Sequence, residues 1–132
     1  MNVFVDTSAI VAVLDREDSE HARANKIWDR LLDENSNLQT TNYVLIEVAA
    51  LLQRRIGLPA LRTFQDDIVP VLKIDWIDER RHTAGMESVL AASRRNLSIV
   101  DCVSFQSMRE LGIRAAFCFD KHFREHGFET LP

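Results

Sequence analysis

The stretch VFVDTSAIVAVL, residues 3–14, decides how this chain folds. Its first three residues are apolar and strand-forming, so residues 2–5 predict a buried strand. Thr7 to about Leu14 predicts a short helix immediately after it. A strand that passes directly into a helix is the first half of a β-α unit. Asp6 lies at the junction, where an acid beside a buried segment costs free energy unless something neutralises it.

The same alternation continues to the end of the chain. A second helix is predicted to run to about residue 33, capped by Asp18 or Ser19, before a short strand at 38–40. Further helices are predicted at about 42–55, 59–68, 78–95 and 98–111, strands at 71–77 and 114–119, a last turn at 121–125, and an edge strand at 128. This pattern predicts a mostly parallel sheet with helices on both faces.

Length and composition limit the class of protein. The 132 residues predict one domain, residues 1–132. The longest apolar run, residues 9–14, is too short to span a bilayer, and no signal-like segment precedes the first strand, so we expect neither membrane association nor secretion. Cys102 and Cys118 lie in segments predicted to be buried, and we expect free thiols in a reducing cytoplasm.

The net charge of −4 argues by itself against a nucleic-acid partner. Four candidate metal-binding acids account for that excess, however, and the remainder of the chain is neutral. Most of the 16 basic residues are arginines, which suit bidentate phosphate contacts. The arginine pairs 54–55, 80–81 and 94–95 therefore predict a phosphate-binding rim, although solvated helix faces would explain the same pairs.

The four candidate acids are Asp6, Glu47, Asp101 and Asp120. Asp6 and Asp120 are each the first polar residue after a predicted strand, and ligands of parallel α/β sheets bind beyond the strands' carboxyl ends. Glu47 shares a helix face with apolar residues, and Asp101 lies one turn into a helix. Carboxylates gathered in one cleft repel each other, so their convergence predicts a bound divalent cation. An all-oxygen site indicates Mg²⁺ or Mn²⁺ rather than zinc or copper.

Each acid also has a structural explanation. Asp6 and Asp120 would cap the helices that follow them, and Asp101 fits a capping box with Ser98. An arginine partner would neutralise Glu47. Only a shared metal site explains all four positions together.

The other candidate groups favour packing over chemistry. None of the four histidines has the spacing of metal ligands, and His122 is expected to help seat the last turn. Trp28, Trp76 and Tyr43 fit core or interface packing better than base stacking. No side chain is placed for internal attack by a ribose hydroxyl. We therefore expect metal-dependent hydrolysis that leaves a 5′-phosphate and a 3′-hydroxyl.

Four segments together resemble the PIN-domain ribonucleases, and among them the bacterial VapC-type toxins. These segments are VFVDTSA (3–9), TNYVLIEV (41–48), LSIVDC (97–102) and FDKHF (119–123), the last followed by Gly127-Phe128. Their order and separations match the family over essentially the whole chain. One departure is Cys118, at a position where many members carry threonine.

The resemblance implies a three-layer α/β/α fold in a single PIN-like domain. It makes Asp6 and Asp101 the principal metal ligands, with Glu47 and Asp120 completing the site or holding a second ion. Thr7 and Ser98 would be polar supports, Mg²⁺ the cofactor with Mn²⁺ able to substitute, and no organic cofactor is expected. The implied activity is endoribonucleolytic, on structured tRNA or rRNA. A cognate antitoxin, a homodimer and a cytoplasmic location are also implied.

Two other functions remain open from the sequence. A catalytically silent PIN module could bind RNA or a protein through the same surface, although it would have no need of four buried acids. A phosphatase with Asp6 as covalent nucleophile would usually require a second aspartate two residues later, where this chain has Ser8.

Overall fold

In the computed structural model, which describes residues 1–132, five strands form one sheet in the order β3-β2-β1-β4-β5. The strands are β1 (Asn2–Val5), β2 (Asn37–Thr41), β3 (Lys73–Asp75), β4 (Ala115–Phe117) and β5 (Glu129–Leu131). All four neighbouring pairs are parallel. The chain builds outward from β1 through β2 to β3 and then returns to the other side of β1, so the strand order switches between β1 and β4.

Seven α-helices flank this sheet. They are α1 (Thr7–Leu14), α2 (His21–Asp33), α3 (Asn42–Arg55), α4 (Leu58–Thr63), α5 (Glu79–Ala92), α6 (Ile99–Leu111) and α7 (His122–Glu125). The α/β architecture with a central parallel sheet is therefore as the sequence predicts. None of the helices combines the length and the apolar character needed to cross a membrane.

The core explains why β1 lies at the centre of the sheet. Val3, Phe4 and Val5 are all fully buried, as expected for a strand covered by helices on both faces. The Phe4 ring lies 6.1 Å from the ring of Phe123, which in turn lies 5.0 Å from the ring of Phe105. These contacts join β1 to α7 and α7 to α6, and so fix the two helices relative to the central strand.

Several predicted boundaries are wrong. Neither Asp18 nor Ser19 caps α2, because the Asp18 carboxylate instead accepts the Glu20 N–H at 2.8 Å in a turn before the helix. The fourth helix changes to a π-turn at Phe64–Ile68 and a 3₁₀ turn at Val69–Val71. The strand predicted at 71–77 is consequently only three residues long. Val71 belongs to the 3₁₀ turn, and only residues 73–75 pair with β2.

Candidate metal centre

The candidate site lies at the carboxyl ends of β1 and β4, where the strand order switches. Asp6 directly follows β1, and its N–H donates to the Phe117 carbonyl of β4 at 3.0 Å. Asp120 follows β4, and Asp101 reaches the same place from the first turn of α6. The fold thus brings three of the four predicted acids to one edge of the sheet.

Asp6 is the most deeply buried of the four acids, with 4% of its surface exposed. Its carboxylate accepts the Ser8 N–H at 3.3 Å and the Ser8 hydroxyl at 2.8 Å, so it does cap α1. The pKa of Asp6 is nevertheless raised to about 7, mainly by burial and in smaller part by the Asp101 and Asp120 carboxylates, against the lowering effect of the Ser8 hydrogen bonds. Asp6 therefore caps α1, and yet its ionised form is destabilised by burial and by the neighbouring acids. A bound cation would stabilise that ionised form.

Ser8 holds the site together and was not among the predicted residues. Its hydroxyl donates to Asp6 and also accepts the Phe119 N–H at 3.0 Å. This second bond joins the start of α1 to the loop that carries Asp120. Because the two residues lie 111 positions apart, no local sequence pattern reveals the contact.

Asp101 performs its predicted capping role as well. The Ser98 hydroxyl accepts the Asp101 N–H at 3.1 Å, and the Asp101 carboxylate accepts the Ser98 N–H at 3.1 Å. Only 8% of Asp101 is exposed. Burial raises its pKa, as does the nearby Asp120 carboxylate, while the Ser98 bonds and His122 act in the opposite direction. The capping box holds the Asp101 side chain in one rotamer, while burial and Asp120 continue to disfavour its ionised form.

His122 is the main site residue that the sequence analysis missed. Its Nδ1 lies 3.1 Å from Asp120 Oδ1 and 3.3 Å from Asp101 Oδ2. The backbone does seat the last turn as predicted, because the His122 N–H donates to Asp120 Oδ1 at 2.5 Å. The ring itself points into the acid cluster. Candidate ligand atoms of Asp101, Asp120 and His122 all lie within 4.8 Å of one another.

Glu47 differs from its predicted environment. It is half-buried, whereas its helix neighbours Val44, Val48 and Leu52 are fully buried. The acid therefore stands at the edge of the apolar stripe, not within it. Its side chain lines a cleft shared with Asp6 and Arg55. Of these two acids, Asp6 and not Glu47 is the one buried deeply enough for its charge to be costly.

The two predicted supporting residues stand in different environments. Thr7 is buried, and its hydroxyl has no hydrogen-bond partner. Ser98 is exposed and its hydroxyl is engaged in the capping box of α6. The two ring nitrogens of His122 are likewise buried without a hydrogen bond, and Nδ1 lies beside the carboxylates of Asp101 and Asp120. This donor set fits a divalent cation, as expected of buried polar groups whose partner is an ion.

Cys118 contributes a neutral thiol at the position where the resemblance anticipates threonine. Both cysteines are free and buried. Burial, reinforced by the Asp6 and Asp120 carboxylates, raises the pKa of Cys118 to about 12. The thiol donates to the backbone carbonyl of Asp120 at 3.7 Å. It therefore packs beside the loop that carries Asp120 as an uncharged group and is no nucleophile.

The predicted arginine rim is only partly present. Arg81 forms a bidentate pair with Asp75 at 2.9 and 2.6 Å and lies 3.2 Å from Glu110, so it joins α5 to β3 and α6. Arg94 pairs with Glu125 at 3.2 Å. Of the three arginine pairs, only Arg55 lines the cleft of Asp6.

A second basic group borders the cleft on the side of Asp120. Arg23, Lys121 and Arg124 line this side together with Phe119. The Arg23 guanidinium lies 5.7 Å from the centre of the Phe119 ring. No pairing in the sequence marks these residues, because they come from two different helices and a loop.

The predicted role of the large aromatic residues is confirmed for one tryptophan. Trp28 lies in the core with 7% of its surface exposed. Trp76, at 69%, stands free of the core, and the Tyr43 hydroxyl contacts Nδ1 of the exposed His82.

Comparisons with known proteins agree with this geometry. The profile of the family described as PIN domain matches residues 3–129. The 23S rRNA-specific endonuclease VapC20 of Mycobacterium tuberculosis is 31% identical over 132 residues, which cover 98% of this chain and 98% of that protein. Its crystal structure, described as that of a Sarcin-Ricin loop cleaving toxin, gives a TM-score of 0.86 over 98% of this chain and 99% of the other.

Two more distant structures share the fold. FitAcB from Neisseria gonorrhoeae is 14% identical and gives a TM-score of 0.69, covering 100% of this chain and 97% of that one. PAE2754 from Pyrobaculum aerophilum, also 14% identical, gives 0.61, with 99% and 90% covered.

Proposed function

We propose, from the premise that this chain belongs to the PIN-domain family, that it is a metal-dependent endoribonuclease and the toxin of a toxin–antitoxin pair. The observation that carries the proposal is the convergence of Asp6, Asp101 and Asp120 at the switch point of the sheet, where Asp6 has a pKa of about 7. Mg²⁺ is the proposed cofactor, and Mn²⁺ can substitute for it.

Each acid has a definite role in this proposal. Asp6 and Asp101 are the principal ligands, held in place by Ser8 and Ser98 respectively. Asp120 and Glu47 complete the site from the β4 loop and from α3. A divalent cation held there supplies the charge that activates a water molecule and stabilises the leaving oxygen of a phosphodiester. Burial around Asp6 strengthens these electrostatic interactions by excluding solvent.

RNA is the proposed substrate. Arg55 on one side of the cleft, and Arg23, Lys121 and Arg124 on the other, are placed to bind phosphates on either side of the acids. Among structured RNAs we propose rRNA before tRNA, because VapC20, which resembles this chain over nearly its whole length, is named as specific for 23S rRNA.

The proposed partners are a cognate antitoxin and a second copy of the chain, in the cytoplasm. Large apolar side chains are exposed on this protomer, among them Leu58 at 62% and Ile46, Trp76 and Leu90 at 69–70%. Leu58 begins α4 and offers a candidate contact surface for a second copy, whereas Trp28 is buried in the core and offers none.

A cleavage assay tests the proposal. Purified protein freed of antitoxin is incubated with intact ribosomes and with total RNA, in Mg²⁺, in Mn²⁺ or in EDTA. We expect discrete rRNA fragments that disappear in EDTA and in Asp101→Asn. The matched control is Asp33→Asn, which removes an exposed carboxylate at the end of α2 and should cleave normally. RNA binding without cleavage in any metal would favour the silent PIN module instead.

A further inference from the structure

The acid cluster contains a histidine that a site of four carboxylates leaves unexplained. His122 is 92% buried, since only 8% of its surface is exposed, and it sits between two carboxylates. Neither ring nitrogen makes a hydrogen bond, although Nδ1 is close to both acids. Buried polar nitrogens without a partner are rare, and one that is directed at carboxylates indicates a ligand between them.

The distances suit shared coordination. An octahedral ion with ligand bonds of roughly 2.1 Å places neighbouring ligand atoms about 3 Å apart. The observed separations from His122 Nδ1 are 3.1 Å to Asp120 Oδ1 and 3.3 Å to Asp101 Oδ2. A ring that only supported the carboxylates would direct an N–H along a hydrogen bond to one of them, and this ring does not.

The backbone that carries the ring is also anchored in this position. Phe123, the next residue, is fully buried and packs against Phe105 and Phe4. The backbone N–H of His122 donates to Asp120 Oδ1, so the histidine and this acid are fixed relative to each other. Preorganisation of this kind lowers the entropy lost when a ligand is ordered around an ion.

We propose that His122 Nδ1 is a direct ligand of a divalent cation shared with Asp101 and Asp120. This part of the metal centre is then a mixed nitrogen–oxygen subsite and prefers Mn²⁺ over Mg²⁺. Imidazole suits first-row transition ions, whereas Mg²⁺ is a hard ion that selects oxygen ligands. The inference rests on the proposed function only in that both require a divalent cation at the acid cluster.

Binding of Mn²⁺ to the purified, RNA-free protein tests this inference without any activity measurement. Electron spin-echo spectroscopy of bound Mn²⁺ should detect ¹⁴N coupling from a ligated imidazole, and ¹⁵N-histidine labelling should change it. His122→Phe keeps a ring of similar shape without a ligand atom, and His122→Asn offers an amide oxygen near the position of Nδ1. His82→Gln is the control, because it removes an exposed histidine from the start of α5.

The expected result is ¹⁴N coupling in the wild type and in His82→Gln, and none in His122→Phe or His122→Asn. Competition between the two ions should show the ratio of Mn²⁺ to Mg²⁺ affinity falling on the order of tenfold or more in both His122 variants. Circular dichroism establishes that the variants are folded. If one is not, the ¹⁵N-sensitive signal of the wild type and the other variant decide the question.

Bound Mn²⁺ without nitrogen coupling in the wild type would overturn the proposal, and so would an unchanged affinity ratio in the variants. His122 would then be a positioning residue for Asp101 and Asp120. Failure of the nuclease assignment looks different: the protein would bind Mn²⁺ with nitrogen coupling and still leave RNA intact.

Discussion

Replacing Asp6 with asparagine should stabilise the metal-free protein while abolishing its activity. Asparagine has the same shape and still offers an oxygen to the Ser8 N–H, so the cap of α1 is retained. What disappears is a charge whose burial raises the pKa from 3.8 to about 7. At roughly 1.4 kcal/mol per pH unit, that difference corresponds to at most about 4 kcal/mol.

The sign of the effect follows from proton binding. Between pH 4 and 7 the unfolded chain ionises at Asp6 while the folded protein keeps the proton, so wild-type stability falls as the pH rises. Above pH 7 the full penalty remains. Asparagine has no proton to lose, so the advantage of Asp6→Asn should be small at pH 4 and largest at pH 8. For a chain of this size, one kcal/mol corresponds to roughly 4 °C in melting temperature.

Thermal melts in EDTA at several pH values provide the assay, with the exposed Asp33→Asn as control for a simple change of charge. We expect Asp6→Asn to melt several degrees above the wild type at pH 8, and Asp33→Asn to show no such gain. Adding Mg²⁺ or Mn²⁺ should narrow the difference, since a ligand at about 100 times its Kd stabilises the binding-competent wild type by about 2.7 kcal/mol. The order should reverse only well above about 1,000 times Kd, where this gain exceeds about 4 kcal/mol. A lower melting temperature for Asp6→Asn at pH 8 would refute the reasoning and make Asp6 a purely structural cap.

Three further outcomes follow from the same structure. Gly85→Ala should destabilise the protein by about 1–3 kcal/mol in chemical denaturation, because the new Cβ would lie 2.5 Å from Val103 Cγ2 where α5 packs on α6. An unchanged denaturation midpoint would mean that α5 and α6 can shift apart to relieve this clash without loss of stability. Arg81→Met should cost about 2 kcal/mol by leaving Asp75 without its bidentate partner. Since this pair lowers the pKa of Asp75, part of the wild type's loss of stability below about pH 4 should vanish in the variant, and identical acid titrations would contradict the assignment. Arg55→Gln should weaken RNA binding and flatten its salt dependence, as measured by fluorescence anisotropy at several ionic strengths, without changing the melting temperature. The same change at Arg94, which pairs with Glu125, should leave RNA binding intact.

The parts of the fold that the sequence predicts are those fixed by local pattern. The β1–α1 unit follows from an apolar run ended by a helix-capping acid, and both the run and the cap are contained within a few residues. The capping box of Ser98 and Asp101 is equally local, and the structure confirms it. The convergence of Asp6 and Asp120 follows from one further rule, that ligands bind at the carboxyl ends of parallel strands.

The missed features depend on contacts between distant segments. Whether Glu47 is buried depends on which elements cover that side of α3, and the spacing of its apolar neighbours does not contain this information. In the sequence, Arg81 is indistinguishable from its exposed neighbour Arg80. Its ion pairs with Asp75 of β3 and Glu110 of α6 exist only in the folded protein. His122 carries no metal-ligand signature in the sequence, because no other histidine stands at ligand spacing from it. Its partners are carboxylates, and one of them lies on another helix.

The chemical nature of the cleaved ends tests the central claim most directly, because it reports how the phosphodiester is broken. Fragments made by the purified protein in Mg²⁺ or Mn²⁺ are treated with a 5′-phosphate-dependent exonuclease and mapped by 3′-end ligation. Hydrolysis at the cluster of Asp6, Glu47, Asp101 and Asp120 predicts 5′-phosphates and 3′-hydroxyls, with all fragments lost in Asp101→Asn. Fragments ending in 2′,3′-cyclic phosphates, or fragments that persist in Asp101→Asn and EDTA, would contradict the account.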